Sequence, residues 1–322
     1  MGCSNFSNSG VDNVPNLPKS NTKIKYRFAD LKEAQKLYLS NTNYLNNLNK
    51  YDLDYRVNKK NATLEEFKAF VVRQILEFTK EEKEIISKQI AEMEKILESQ
   101  KISLPFNEEI TFIKSTQKEE NGSLAYTLGT QIYLGEKVFN YFESNDIKKK
   151  FIVDALLWHE LFHCITKNNK TFRKDMYKII HFTIMEKDFK IPETIYEISI
   201  SNPDVPHHDS YASFNIDGKN IDCYMVLTAS MPFNYPGDNF FNCIQFTIVP
   251  IDSKGEFYFP GDAQNFWEIF GENTPYVIDP EECLADNFSY ALLKEKYFEC
   301  EIEQLNFKNP EIIEKIINYL KK

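Results

Sequence analysis

The chain has 322 residues, 42% of them hydrophobic, with 26 Phe and 18 Tyr; this is too apolar for a disordered protein and enough for a core built as one large or two smaller lobes. A formal net charge of −10, with no basic stripe carrying interleaved aromatics, excludes nucleic acid as the expected partner. No apolar run approaches the roughly 18 residues needed to span a membrane.

Residues 1–22 are expected to form a flexible tether, because Met1-Gly2-Cys3 leads into a stretch rich in Ser, Asn and Pro. It has neither the charged n-region nor the apolar h-region of a signal peptide, and Phe6 fails the Ser/Thr requirement of N-myristoylation. Two readings stand. In one, Met-Gly replaces the signal peptide of a bacterial cell-envelope lipoprotein and Cys3 is the lipid anchor; in the other, the segment is a cytoplasmic tail with an incidental cysteine. The remaining cysteines form no CxxC pair, so neither a disulfide framework nor a structural zinc knuckle is expected.

Residues 23–322 read as one α+β domain. Within 63–100, Thr63-Leu64-Glu65-Glu66 is a capping box, and apolar residues recur at helical spacing from Phe67 to Ile96. One long helix or a broken pair is predicted there, as scaffold. Across 101–190, strands are predicted at Ile102–Leu104, at Ile110–Ile113 and at least once between Gly122 and Leu134.

His159-Glu160-Leu161-Phe162-His163 then reads H-E-x-x-H in an uncharged frame that includes Leu156, Leu157, Trp158 and Ile165. Residues four apart share a helical face, so both imidazoles can address one cation while Glu160 reaches a water on it. Such a centre needs a third protein ligand. Thr166 and Asn169 replace the Gly and His of HExxHxxGxxH, so that class is excluded. A helix follows over Thr171–Glu186, with His181 as one of its core or surface histidines. Residues 191–260 read as β-rich, with Asp217-Gly218 as a turn between Tyr211–Ile216 and Ile221–Leu227. The polar loop Asn202–Asp209 carries His207-His208, a rival source of the third ligand or of substrate-binding groups.

In 261–322, Phe266–Phe270 reads as a short helix, Asn273–Tyr276 as a loop and Asp279–Glu295 as a longer helix. Asp279 is a good N-cap, Pro280 suits the first turn, and Glu282 stands three residues after the cap. Glu282 and Asp286 then share a face, one to bind the metal and the other to take a hydrogen bond from a ligating histidine. Cys283 is a competitor for the third ligand, since Glu281–Ala285 faintly resembles the cysteine motif of peptide deformylases, although there the motif precedes HExxH. A last amphipathic helix begins at Asn309-Pro310-Glu311.

HExxH followed downstream by ExxxD resembles the gluzincin group of zinc metallopeptidases, the thermolysin-like enzymes. The match covers two helices and the strand before them, and the long separation of the motifs implies a bacterial branch with a β-rich insertion between its ligand helices. The resemblance implies a zincin-like α+β fold and one Zn²⁺ per chain held by His159, His163 and Glu282. It implies Glu160 as general base and Asp286 as the partner of His159. It also implies an extended peptide or protein substrate laid along a sheet-edge strand, here sought within Ala125–Leu134. Thermolysin-like enzymes stabilise the oxyanion with a His and a Tyr, but no histidine follows Glu282, so His207, His208, Tyr211 and Tyr276 stand as candidates. The expected function is zinc-dependent hydrolysis of peptide bonds. The alternatives are an inert binding protein with the same fold, which an intact Glu160 disfavours, and a zinc hydrolase of a non-peptide amide.

Overall fold

The computed structural model describes residues 22–230 and 243–322. The expected tether, with Cys3, lies outside these residues apart from its last position. The first part of the described chain comprises β1 (Tyr26–Phe28), α1 (Leu31–Ser40), α2 (Thr42–Asn47), α3 (Lys50–Val57), α4 (Leu64–Val72), β2 (Ile75–Leu76), α5 (Lys80–Gln100), β3 (Ile110–Ser115), β4 (Ala125–Leu128) and β5 (Gln131–Gly135). Then come α6 (Phe139–Phe142), α7 (Ile147–Asn168), α8 (Lys170–Ile179), β6 (Thr183–Ile184), α9 (Glu193–Tyr196), β7 (Ser210–Ile216), β8 (Lys219–Ala229) and β9 (Ile244–Pro250). Three helices close the chain: α10 (Phe266–Phe270), α11 (Pro280–Leu293) and α12 (Pro310–Leu320). Over the described residues the fold is mixed α+β with two small sheets.

Side-chain alternation stacks the layers of the first sheet, whose order is β1-β3-β5-β4 with β2 also paired to β3. Phe112, Ile132 and Leu134 enter the main core beside Ile86 and Ile90 of α5 and Leu157 and Leu161 of α7. Ile113, Tyr126, Leu128 and Tyr133 face the other way, onto Tyr38, Phe67 and Val71 of the first helices. β1, β3 and β5 run parallel, while β4 turns back antiparallel on β5 and forms the edge. The turn is tight: Gly129 at φ +64° takes the first of two central positions, as a type II′ hairpin requires.

Of the two arrangements predicted for 63–100, the broken pair forms and the single long helix does not. α4 stops at Val72, β2 pairs antiparallel with β3, and Thr79 opens α5 with its own capping box to Glu82. Helical periodicity carried across this break, because apolar residues continue through it. Ile102–Leu104 is not a strand either. Lys101 takes the left-handed conformation that ends α5, and Ile102 N–H returns to the Leu97 carbonyl, so Ile102 is buried as a helix cap. The helix expected to reach Glu186 stops at Ile179, where His181 at φ 66° turns the chain into β6.

α7 and α11 form the centre of the molecule. Phe288 packs against Trp158 and Phe162, with ring centroids 6.2 and 5.3 Å away, and Ser289 Oγ donates to the Ala155 carbonyl at 3.0 Å. The small pair Ala155 and Ser289 lets the two backbones approach closely. Asp279 caps α11 by accepting from Glu281 N–H at 2.8 Å. The second sheet, β6-β7-β8-β9, is antiparallel throughout, and Asp217 (φ 50°) and Gly218 (φ 75°) form the type I′ turn between β7 and β8. Among the described residues no helix is long and apolar enough to cross a membrane.

Candidate metal centre

His159 and His163 lie one turn apart on α7 with their rings edge to face, 4.7 Å between centroids. Each ring is held by its Nδ1. His159 Nδ1 meets Asp286 Oδ1 at 2.9 Å, and His163 Nδ1 meets Glu281 Oε1 at 3.1 Å. Both Nε2 atoms therefore turn to the same carboxylate oxygen, Glu282 Oε2, at 2.9 Å from His159 and 3.5 Å from His163. The ligand atoms of His159, His163 and Glu282 lie within 4.8 Å of one another. His163 Nε2 is buried without a hydrogen-bond partner, an orphan that a cation would satisfy. Two imidazoles and a carboxylate converging in this way fit a metal ion.

The surrounding contacts fix this arrangement. Asp286 Oδ2 accepts from Thr274 Oγ1 at 2.5 Å, and Glu282 Oε1 accepts from Asn202 Nδ2 at 2.5 Å. Glu281 is buried, accepts from Tyr177 OH at 2.7 Å and also from Thr166 Oγ1. Arg173 stacks 4.7 Å from the Tyr177 ring centroid and grips Asp209 with two bonds of 2.8 and 2.6 Å.

The electrostatics favour positive charge between the ligands. Burial alone would lower His163, but Asp204, Glu281 and Glu282 outweigh it and carry it up to about 9. Burial likewise opposes His159, and Asp286 and Glu282 raise it well above the usual range. Glu282 is pressed upward by burial yet held far below the ordinary carboxylate range by the two histidines. Imidazole protons and a metal are thus competitors for one anionic cage.

Glu160 sits apart from this set. Its Oε2 accepts from Thr127 Oγ1 on β4 at 2.6 Å, and burial, with Asp204 next, pushes its carboxyl up to about 7. Asp204 is itself raised, first by burial. It accepts from Thr127 N–H at 2.7 Å and lies 3.5 Å from Lys167. A cleft of about 340 Å³ opens onto His159, Glu160, Glu282 and Asp286.

Of the other expected site residues, Tyr276 lines this cleft, its ring centroid 6.2 Å from that of His159 and the residue 42% exposed. His208 and Tyr211 do not line it, and their placement at the site is corrected. The His208 carbonyl accepts from Phe189 N–H, and Tyr211 pairs with Thr183 across β6 and β7 with its ring against Phe189. His207 is exposed beside Asp188 at 3.3 Å. The loop does reach the site, but through Asn202 and Asp204; by Asp209 the Arg173 pair has drawn the chain into the second sheet. Cys283 is buried with its sulfur turned to the Phe270 carbonyl, on the side of α11 away from the histidines. Glu281, Thr127, Asn202 and Asp204 also build the site, beyond the residues that the sequence motifs single out. The doubled Glu281-Glu282 carried a signal, since two acids opening a buried helix both need partners.

Comparison of the chain with protein-family models, with curated proteins and with solved structures returned no match.

Proposed function

We propose that this protein is a zinc-dependent metallopeptidase of zincin-like fold that hydrolyses peptide bonds, and that His159, His163 and Glu282 hold its zinc. The observation that carries the reading is the convergence of both Nε2 atoms on Glu282 Oε2 beside a separate carboxylate, Glu160, that faces the same cleft. The donor set suits zinc, whose structural and catalytic sites draw on imidazole and carboxylate alike, three protein ligands being the catalytic number. An antiparallel edge strand, β4, lying along α7 supports the zincin-like fold.

When bound, zinc supplies Lewis acidity, both to acidify a water and to polarise a carbonyl. The chain's residues do the rest. Glu160, whose carboxyl is raised by burial in the metal-free chain, takes the proton from the attacking water and returns it to the leaving nitrogen. Thr127 Oγ1 engages one oxygen of Glu160 and so aims the other. Asp286 and Glu281 hold the Nδ1 protons of the two histidines, which keeps each Nε2 lone pair turned inward. Tyr276, a neutral donor on the cleft wall, is our assignment for the group facing the developing oxyanion.

Metal analysis of the purified protein should find about one zinc per chain. Glu160→Gln should keep that zinc while hydrolysis of a diverse peptide library falls about a hundredfold or more. Equal activity in the variant, or no cleavage by a fully zinc-loaded wild type, would overturn the reading. Glu282→Gln should lose zinc sharply, and retention of stoichiometric zinc at normal affinity would reject Glu282 as the third ligand.

A further inference from the structure

The free edge of β4 is shut part-way along. Tyr126 and Leu128 turn their backbone groups to Tyr133 and Gln131 of β5, so Ala125 and Thr127 turn theirs outward. Thr127 has nothing left to offer there. Its N–H donates to Asp204 Oδ1 at 2.7 Å, and its carbonyl accepts from Lys167 Nζ at 2.7 Å. Only the stretch ending at Ala125, which lines the cleft, remains for an added strand.

What blocks the edge is a wall and not a lid. Asp52 accepts from both Ser201 N–H and Ser201 Oγ at 2.9 Å, and Arg56 donates to the Ser201 carbonyl at 2.6 Å. Asn202 is tied to Glu282, and Asp204 N–H closes on Asn202 Oδ1 at 2.9 Å. In the other direction the cleft continues along the first half of α7, past Leu156 and Ile152 to Tyr290 and Gln304. The groove therefore ends blind at Asp204. Asp204 is 7% exposed, and its contacts with Thr127 and Lys167 both fall on Oδ1, which leaves Oδ2 for a ligand.

We propose that the cleft takes a peptide by its amino end: the segment adds antiparallel to β4 at Ala125, and its terminal ammonium meets Asp204. Strand direction and charge agree on this polarity. An antiparallel strand brings its amino end to Asp204, whereas a parallel one would set a carboxylate against a carboxylate. A chain continuing in both directions would have to pass through the Ser201–Asp204 wall. The inference rests on the metallopeptidase reading for the peptide nature of the ligand, and it makes the enzyme one that acts near chain ends.

The test uses the full zinc-loaded protein and four labelled versions of one peptide, read by fluorescence anisotropy and by cleavage. They have a free N-terminus, an acetylated N-terminus, a free N-terminus with an amidated C-terminus, and an acetylated N-terminus with an added internal lysine. Acetylation should weaken binding by about tenfold to a hundredfold, the loss of one charge-assisted hydrogen bond, while amidation changes little. Asp204→Asn, which can still accept from Thr127 N–H, should remove the difference between free and acetylated peptides. Equal binding of the acetylated peptide by wild type would overturn the inference. So would recovery by the internal lysine, which would assign Asp204 to a side-chain ammonium. Both of those results leave the peptidase reading standing; failure to bind or cleave any of the four overturns both.

Discussion

Each histidine of the centre has its own carboxylate, and the two carboxylates are differently protected. Asp286 is reached from the cleft, whereas Glu281 is buried among His163, Thr166 and Tyr177. Removing a group that orients a ligand costs about 10–100-fold in metal affinity. Asp286→Ala should therefore loosen zinc while leaving the fold intact, measured by competition with a chelating dye. Glu281→Gln should loosen zinc by a similar factor and also lower stability, because Tyr177 and Thr166 lose a charged acceptor in the interior. An unchanged zinc affinity in Glu281→Gln would show that His163 needs no charged partner at Nδ1.

At the scale of elements, α3 holds the site's wall from far away in sequence. Arg56 lies fully buried between Asp52 at 2.7 Å and Glu120 at 3.0 Å, and Asp52 carries Ser201. Arg56→Leu would strand two buried carboxylates, and a loss of about 3–5 kcal/mol in urea unfolding is expected. Arg56→Lys keeps the charge but not the fork, so it should recover only part of this. This dependence explains what was legible in the sequence. α7 and α11 announce themselves through HExxH spacing and the Asp279-Pro280 start, both local patterns. β2 does not, because a two-residue strand leaves no periodicity. Nor could Asn202 and Asp204 be picked out over His207 and His208: the loop's approach is set by Asp52 and Arg56, and no local pattern records that.

Over the whole molecule, several titrating groups are raised together. Burial pushes Glu120 and Glu160 to about 7 and Asp279 to about 8, while the acidic neighbours of His163 take it to about 9. A group raised in the folded state holds its proton more tightly there than when unfolded, so its stabilisation is full below the unfolded value and is lost as pH rises through the folded one. Glu281 and Glu282 are lowered instead, and their contribution is already complete near neutrality. Zinc-free protein should therefore lose stability between pH 6 and pH 9 (midpoints of urea unfolding at fixed ionic strength). Zinc, which displaces imidazole protons, should stabilise more as pH rises across that window. A zinc-free midpoint that climbs with pH would contradict the placement of these groups.

Thr127 serves three neighbours at once, its side chain holding Glu160 and its backbone holding Asp204 and Lys167. Strand faces alternate, so a slip of the β4–β5 hairpin by a single residue would present Tyr126 or Leu128 to α7 and leave the carboxylate unaimed. The Gly129 turn is thus a ruler for the chemistry: it counts the residues that put a hydroxyl opposite Glu160. If the proposed function holds, lengthening that turn by one residue should silence hydrolysis while a metal held by His159, His163 and Glu282, all on α7 and α11, stays bound.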